Sequence, residues 1–219
     1  MVSVASDGSN VALVSLPRDS TDFPMSDGSI WRTKVNAIVS LRDVETMTEA
    51  MAGVFGIQID HYLLVDMDDF RRVVDAVGGV TVDVPGTVSD SRCTIAPGTQ
   101  HLNGDRALCY ARNRLTGSDY ARAGRHQQLL VALRDGLLDG DVDLAALAAS
   151  LSSLQTDIQL GDLPLYLDLL RRSADAEVRK LVLAPPTYTT YAGTTGDRGW
   201  ISIPNIAAIH AAVAALTDQ

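Results

Sequence analysis

Apolar residues over 2–5 and 11–16 flank Asp7-Gly8-Ser9-Asn10, which is the turn chemistry of a β-hairpin. Pro17 ends the second run and leaves Arg18 and Asp19 at its exit, ahead of a polar loop over 20–29. Helical spacing returns over 44–54, where Met47, Met51 and Val54 share a face. Residues 56–65, GIQIDHYLLV, predict a strand. Residues 69–77 predict a short helix that Gly78-Gly79 terminates, and residues 80–84 a strand closed by Pro85-Gly86. Residues 89–99 read as a loop. Asn103 is placed to cap a helix through Tyr110, and Asp119 to cap a longer one to about Leu138, with Leu129, Leu130, Leu133 and Leu137 as its buried stripe. The remainder predicts helices at 144–154 and 163–173, a strand at 178–184, a loop, and a last helix at 206–216. Strands and helices interleave with no internal repeat and no low-complexity linker, so the pattern predicts one α/β domain over residues 1–219.

Composition narrows what such a domain does. The 219 residues carry a formal net charge of −9, which disfavours nucleic acid as a partner and makes any local run of arginine informative. No stretch of about 18 apolar residues is present, and the N-terminus lacks the basic-then-apolar pattern of a signal peptide. Met1 leads directly into the first hairpin, which points to a segment upstream of this chain. Cys93 and Cys109 either form one disulfide outside the cytoplasm or stand as two unrelated buried thiols. The four histidines and two cysteines have no zinc-ligand spacing, and Asp66, Asp68 and Asp69 lack an EF-hand pattern and read as a loop or helix start. Gly78-Gly79 follows a helix and precedes a strand, the reverse of a dinucleotide loop.

Two segments carry chemistry. One is Ser15-Leu16-Pro17-Arg18-Asp19-Ser20; the other is Tyr110-Ala111-Arg112-Asn113-Arg114 followed by Asp119, Arg122, Arg125 and Gln128. Arg122, Arg125 and Gln128 recur every three residues and project from one helix face, in the first turns, where an anion is already favoured. A guanidinium fork donates two parallel hydrogen bonds to a phosphate and stays charged when desolvated. The same arginines are equally read as a solvated surface paired with Asp19, Asp119 and other carboxylates.

In order and spacing, residues 11–135 resemble the catalytic domain of the LytR-CpsA-Psr family. The matching pieces are LVSLPRDS (13–20), KVNA (34–37), GIQIDHYLLVDMDDF (56–70), VDAVGGVTVDVP (74–85), APGTQHLNGDRALCYARNR (96–114) and DYARAGRHQQ (119–128). The resemblance implies a central mixed β-sheet flanked by helices on both faces. It also implies a phosphotransferase at the extracellular face of the membrane, moving an anionic glycopolymer from a polyprenyl pyrophosphate to peptidoglycan. Carried over by position, Arg18, Arg112, Arg114, Arg122 and Arg125 grip the pyrophosphate, with Gln128 and Lys34 beside them. Asp19 either binds Mg²⁺ or approaches the incoming hydroxyl. A family acidic residue and a membrane anchor are expected upstream of Met1, and position 126 holds His where a glutamine is usual. The apolar faces of 44–54 and 126–138 serve either as core or as walls for a lipid tail. Two other activities fit the same arginines: a polyprenyl-pyrophosphate pyrophosphatase, and a non-catalytic binder of lipid-linked glycans.

Overall fold

The computed structural model describes residues 1–89, 91–113, 118–139 and 142–217. Strands β1 (Val2–Val4) and β2 (Val11–Ser15) are followed by the short pair β3 (Phe23–Pro24) and β4 (Ile30–Trp31), then helices α1 (Ile38–Leu41) and α2 (Val44–Phe55). Next come β5 (Leu63–Leu64), α3 (Met67–Ala76), β6 (Val80–Val84), β7 (Val88–Ser89), β8 (Thr94–Ile95), β9 (Gly98–Leu102), α4 (Gly104–Arg112) and α5 (Asp119–Asp139). The chain finishes with α6 (Leu144–Ser153), β10 (Gln155–Thr156), α7 (Leu163–Arg172), β11 (Val178–Val182), β12 (Thr189–Thr195), β13 (Gly199–Pro204) and α8 (Ile206–Thr217). The class is mixed α/β, as the pattern predicts. Among the described residues the strands form one three-stranded sheet and five two-stranded ones. Backbone contacts group them into two compact units: Met1–Ala5, Asn10–Tyr62 and Arg179–Gln219 in the first, Ser6–Ser9 and Leu63–Val178 in the second.

In the first unit β2 lies between β1 and β11. Val11, Ala12, Leu13 and Val14 are all buried, which is why this strand reads as a continuous apolar run and not as an alternation. Val14 joins Phe23, Ile38, Val54, Leu183, Ile209 and Val213 in one core. The Asp43 carboxylate caps α2 by accepting the Thr46 N–H at 2.7 Å. Ala50 and Val54 of α2 are buried in the core, with Met47 and Met51 packed against it, so this apolar face is core. Several segments depart from the pattern, among them β3, which pairs with β4 from within the stretch read as a polar loop. Residues 56–62 are not a strand: Ile57 and Ile59 pack partly buried against the core from irregular backbone, which gives an apolar run without a ladder. Conversely, β12 and β13 form an antiparallel hairpin, Thr195 opposite Gly199, where a loop is predicted. Much of its surface is solvent-facing, as Tyr191 and Trp200 illustrate, so the usual apolar alternation is weak.

In the second unit β6 pairs antiparallel with β9, from Val80 opposite Leu102 to Val84 opposite Gly98. Val80, Val82 and Val84 are buried while Thr81 and Asp83 are exposed, a clean period of two. The Asp66 carboxylate caps α3 by accepting the N–H groups of Asp68 and Asp69, so the dense acids at 66–69 are a helix start. Gly78 and Gly79 end α3 at φ of 79° and 95°, which favours glycine at both places. Asn103 caps α4 by accepting the Arg106 N–H at 3.1 Å. Gly104 sits so close to α3 that a Cβ there would run into the Arg71 carbonyl. Leu129 and Ala132 of α5 join the core that holds Val80, Leu102 and Tyr110, with Leu133 and Leu137 packed against it, so this face too is core, whereas Leu130 of the predicted stripe is exposed to solvent. Cys93 and Cys109 form a disulfide with Cα atoms 6.4 Å apart, tying the segment between β7 and β8 to α4.

Candidate functional site

The Pro17 end of β2 delivers Arg18 and Asp19 into a segment held by its backbone. The Ser20 N–H donates to the Pro17 carbonyl at 3.0 Å, and the Val35 N–H donates to the Ser20 carbonyl at 2.7 Å. Ser202 of β13 grips both sides of Ser20: its N–H donates to the Asp19 carbonyl at 3.1 Å, and its carbonyl accepts the Thr21 N–H at 2.9 Å. Asp19 is thereby fixed by a strand that sequence patterning reads as loop. Its side chain is 14% exposed and faces two cations. Lys34 Nζ donates to Oδ1 at 2.7 Å, and Arg18 Nε lies 3.7 Å from the same oxygen. Oδ2 accepts no hydrogen bond among the described residues.

A further arginine, Arg198, was not singled out by the sequence. It donates to both Asp22 oxygens, at 3.0 and 2.9 Å, and to the Arg32 carbonyl at 2.8 Å. Asp22 itself adopts a φ of 56°, in the left-handed region, and this network holds it there. The loop entered by the PRD segment is therefore cross-braced from the start of β13. The sequence pattern reads the stretch between 184 and 206 as a loop, so nothing local marks Arg198 for this role.

In the second unit the arginines separate by role. Arg125 is 8% exposed; its Nε donates to the Tyr110 carbonyl at 3.0 Å and Nη2 donates to the Asn113 carbonyl. Its guanidinium carbon also stands 5.7 Å from the Tyr110 ring centroid. Arg125 thus gives hydrogen bonds to the carbonyls at the C-terminal end of α4, where a cation also suits the helix dipole. Burial lowers its proton affinity below the ordinary arginine value, with the charge of Arg122 adding to the effect, and the group stays cationic. Gln128 is likewise bound into the fold. Its Oε1 accepts the Tyr110 hydroxyl at 2.7 Å and its Nε2 donates to the Asp83 carbonyl at 3.3 Å.

Arg122 pairs with Asp119 and is 12% exposed. The Ser118 hydroxyl, not Asp119, accepts the Ala121 N–H at 3.3 Å, so Asp119 is the first helical residue and spends its carboxylate on Arg122. Both residues are capping types, which is why the sequence cannot choose between them. Arg112 is exposed in the last turn of α4, and its side chain makes no hydrogen bond or ion pair among the described residues. Arg114 lies outside the described residues. The His126 ring donates from Nε2 to the Ala111 carbonyl at 2.9 Å, since a carbonyl can only accept. Burial pushes the His126 pKa below 6.5, and the positive charges of Arg122 and Arg125 push the same way.

For a magnesium ion, the described residues contain no group of three His, Cys, Asp or Glu side chains that would hold it. What they offer is Asp19 Oδ2. That fits only the sparse mode in which Mg²⁺ takes one carboxylate and completes its octahedron from phosphate and water oxygens. No described helix is long and apolar enough to cross a membrane.

A sequence model of the LytR_cpsA_psr family matches residues 1–195. Over 161 residues, the chain is 34% identical to the polyisoprenyl-teichoic acid–peptidoglycan teichoic acid transferase TagV of Bacillus subtilis, covering 68% of this chain and 41% of TagV. It is 30% identical over 157 residues to the TagU transferase of the same description from Halalkalibacterium halodurans, covering 69% of this chain and 51% of that one. The chain thus spans roughly half the length of these curated relatives or less. The crystal structure of B. subtilis TagV superposes with a TM-score of 0.80 at 27% identity, covering 99% of this chain and 87% of that one. The chain therefore belongs to the LytR_cpsA_psr family.

Proposed function

We propose that this chain is a phosphotransferase that moves an anionic glycopolymer from a polyprenyl pyrophosphate to peptidoglycan, outside the cytoplasm. The observation that carries the proposal is Asp19, pinned through its backbone by Ser202 and set against Lys34 and Arg18, in a member of a family whose relatives are named teichoic acid transferases. The Cys93–Cys109 disulfide supports an oxidising compartment.

In the reaction, an acceptor sugar hydroxyl attacks the phosphorus that bears the polymer. A new P–O bond forms, the bridging P–O bond of the pyrophosphate breaks, and polyprenyl phosphate leaves. Little covalent work falls to the protein, so positioning and charge neutralisation dominate. Arg18 and Lys34 are assigned to the pyrophosphate, as are Arg112, Arg114 and Arg122. Arg125 adds positive potential from a buried position and, with Gln128, holds the end of α4. Asp19 Oδ2 is assigned either to the magnesium ion or to the proton of the acceptor hydroxyl. When bound, Mg²⁺ supplies charge neutralisation on the phosphates.

The testing experiment supplies a lipid-linked, polymer-bearing donor to the protein with and without peptidoglycan fragments, and follows both polymer and phosphate. Polymer bound to the fragments with release of polyprenyl phosphate is the expected result. Inorganic phosphate released without acceptor would instead make the protein a pyrophosphatase. Tight binding with no turnover would make it a binder.

A further inference from the structure

The second unit contains a cavity of about 420 Å³ that shares one arginine, Arg112, with the family's pattern and adds three that the pattern does not describe. Its wall holds Arg71 from α3, Arg92, and Arg106 and Arg112 from α4, together with Asp105 and the Cys93–Cys109 disulfide. The volume is within the range of ligand clefts, roughly 300–1,000 Å³. Four guanidiniums face one lining carboxylate, in a chain whose net charge is −9. Asp105 is taken by Arg71, which donates to it at 3.1 Å and also pairs with Asp68. The side chains of Arg106 and Arg112 have no hydrogen bond or ion pair among the described residues. The disulfide explains how the wall keeps its shape. Cys93 adjoins Arg92, and Cys109 lies midway between Arg106 and Arg112, so one covalent bond sets the Arg92 segment against the arginine face of α4. A wall ordered in advance loses less entropy when a ligand binds.

We infer that this cavity binds a phosphate group, held by guanidinium forks whose geometry matches phosphate oxygens. The inference rests on the transferase reading only for where that phosphate comes from. It is either a repeating phosphodiester of the polymer or the pyrophosphate of the carrier, and the chemistry of recognition is the same. Arg92 and Arg106 are the discriminating residues, because neither belongs to the arginines assigned above to the pyrophosphate.

The test titrates the whole chain at low salt with two probes. One is a short glycerol-phosphate oligomer, which lacks pyrophosphate; the other is geranyl pyrophosphate, which lacks polymer phosphates. Arg92→Gln and Arg106→Gln are each expected to weaken at least one probe about tenfold. Arg42→Gln, an exposed arginine of the first unit, is expected to change neither by more than about twofold. Loss confined to the oligomer assigns the cavity to the polymer; loss with geranyl pyrophosphate assigns it to the carrier. A second readout needs no variant: the bound oligomer or pyrophosphate should protect Arg92 and Arg106 of the wild-type chain from phenylglyoxal. Unchanged affinity in both variants, losses matched by Arg42→Gln, or unprotected Arg92 and Arg106 would overturn the inference. Failure of the transferase reading looks different: polymer transfer is absent while Arg106-dependent binding persists.

Discussion

Replacing Arg125 with methionine separates a clamp from a ligand-binding arginine. The substitution keeps an apolar stem against Tyr110 but deletes the donors to the Tyr110 and Asn113 carbonyls, where Asn113 is fully buried. Hydrogen bonds involving a charged group contribute about 1.5–3 kcal/mol each, so two represent about 3–6 kcal/mol. The cation over the Tyr110 ring adds about 0.5–1 kcal/mol. Removing a buried charge returns part of its desolvation cost, which offsets a share of the loss and leaves about 2–4 kcal/mol of net destabilisation. With an m-value of about 2 kcal/mol/M, the urea midpoint falls by roughly 1–2 M. Arg125→Lys should fall between the two, since one ammonium replaces a fork that reaches two carbonyls. Arg112→Met, exposed and unbonded among the described residues, should stay within about 0.5 kcal/mol of wild type. The assay is urea unfolding by circular dichroism with no ligand present. An Arg125→Met protein as stable as wild type would refute the clamp and return Arg125 to the ligand.

Gln128→Ala should cost about 1–3 kcal/mol, because the Tyr110 hydroxyl loses its acceptor in a buried setting. Adding Tyr110→Phe should then cost less than it does alone, and additive losses would mean the bond contributes nothing. The His126 prediction concerns pH. Its folded pKa is lowered, so the unfolded chain binds the extra proton; the stability it contributes is full above pH 6.5 and is lost as pH falls from there toward the folded value. His126→Gln, which can still donate to the Ala111 carbonyl, should flatten the decline of unfolding free energy measured below pH 6.5. An unchanged slope in the variant would assign the decline to other groups.

Much of the second unit was legible because its residues obey local rules. The alternation of β6, the Gly78-Gly79 stop and the Asn103 cap each come from one short-range cause, and each is found where the pattern puts it. The disulfide is not legible in the sequence, because a cysteine count carries no distance. In the first unit, tertiary context decided more. Residues 56–62 are apolar because Ile57 and Ile59 cover a core, not because they join a ladder, and β12–β13 pairs with little apolar alternation to announce it. The site divides the same way. Residue type and spacing marked Arg18, Asp19 and the arginines of α4 and α5, and the family resemblance added Lys34. They did not reveal that Arg125 and Gln128 are committed to backbone and Tyr110, because a guanidinium or amide that binds a carbonyl has the same sequence signature as one that binds phosphate. Arg198 and Ser202, which brace and position the PRD segment, depend on long-range contacts that local spacing does not encode.

The most direct test of the account is the rate of polymer transfer to peptidoglycan fragments by Asp19→Asn beside wild type. The asparagine oxygen can still accept from Lys34, and the backbone bonds to Ser202 are untouched, so only the carboxylate charge is removed. A fall of about 100-fold or more, on the scale of a lost catalytic acid–base or metal-binding group, with unchanged thermal unfolding is the result expected. Transfer at the wild-type rate would contradict the account and remove Asp19 from the chemistry.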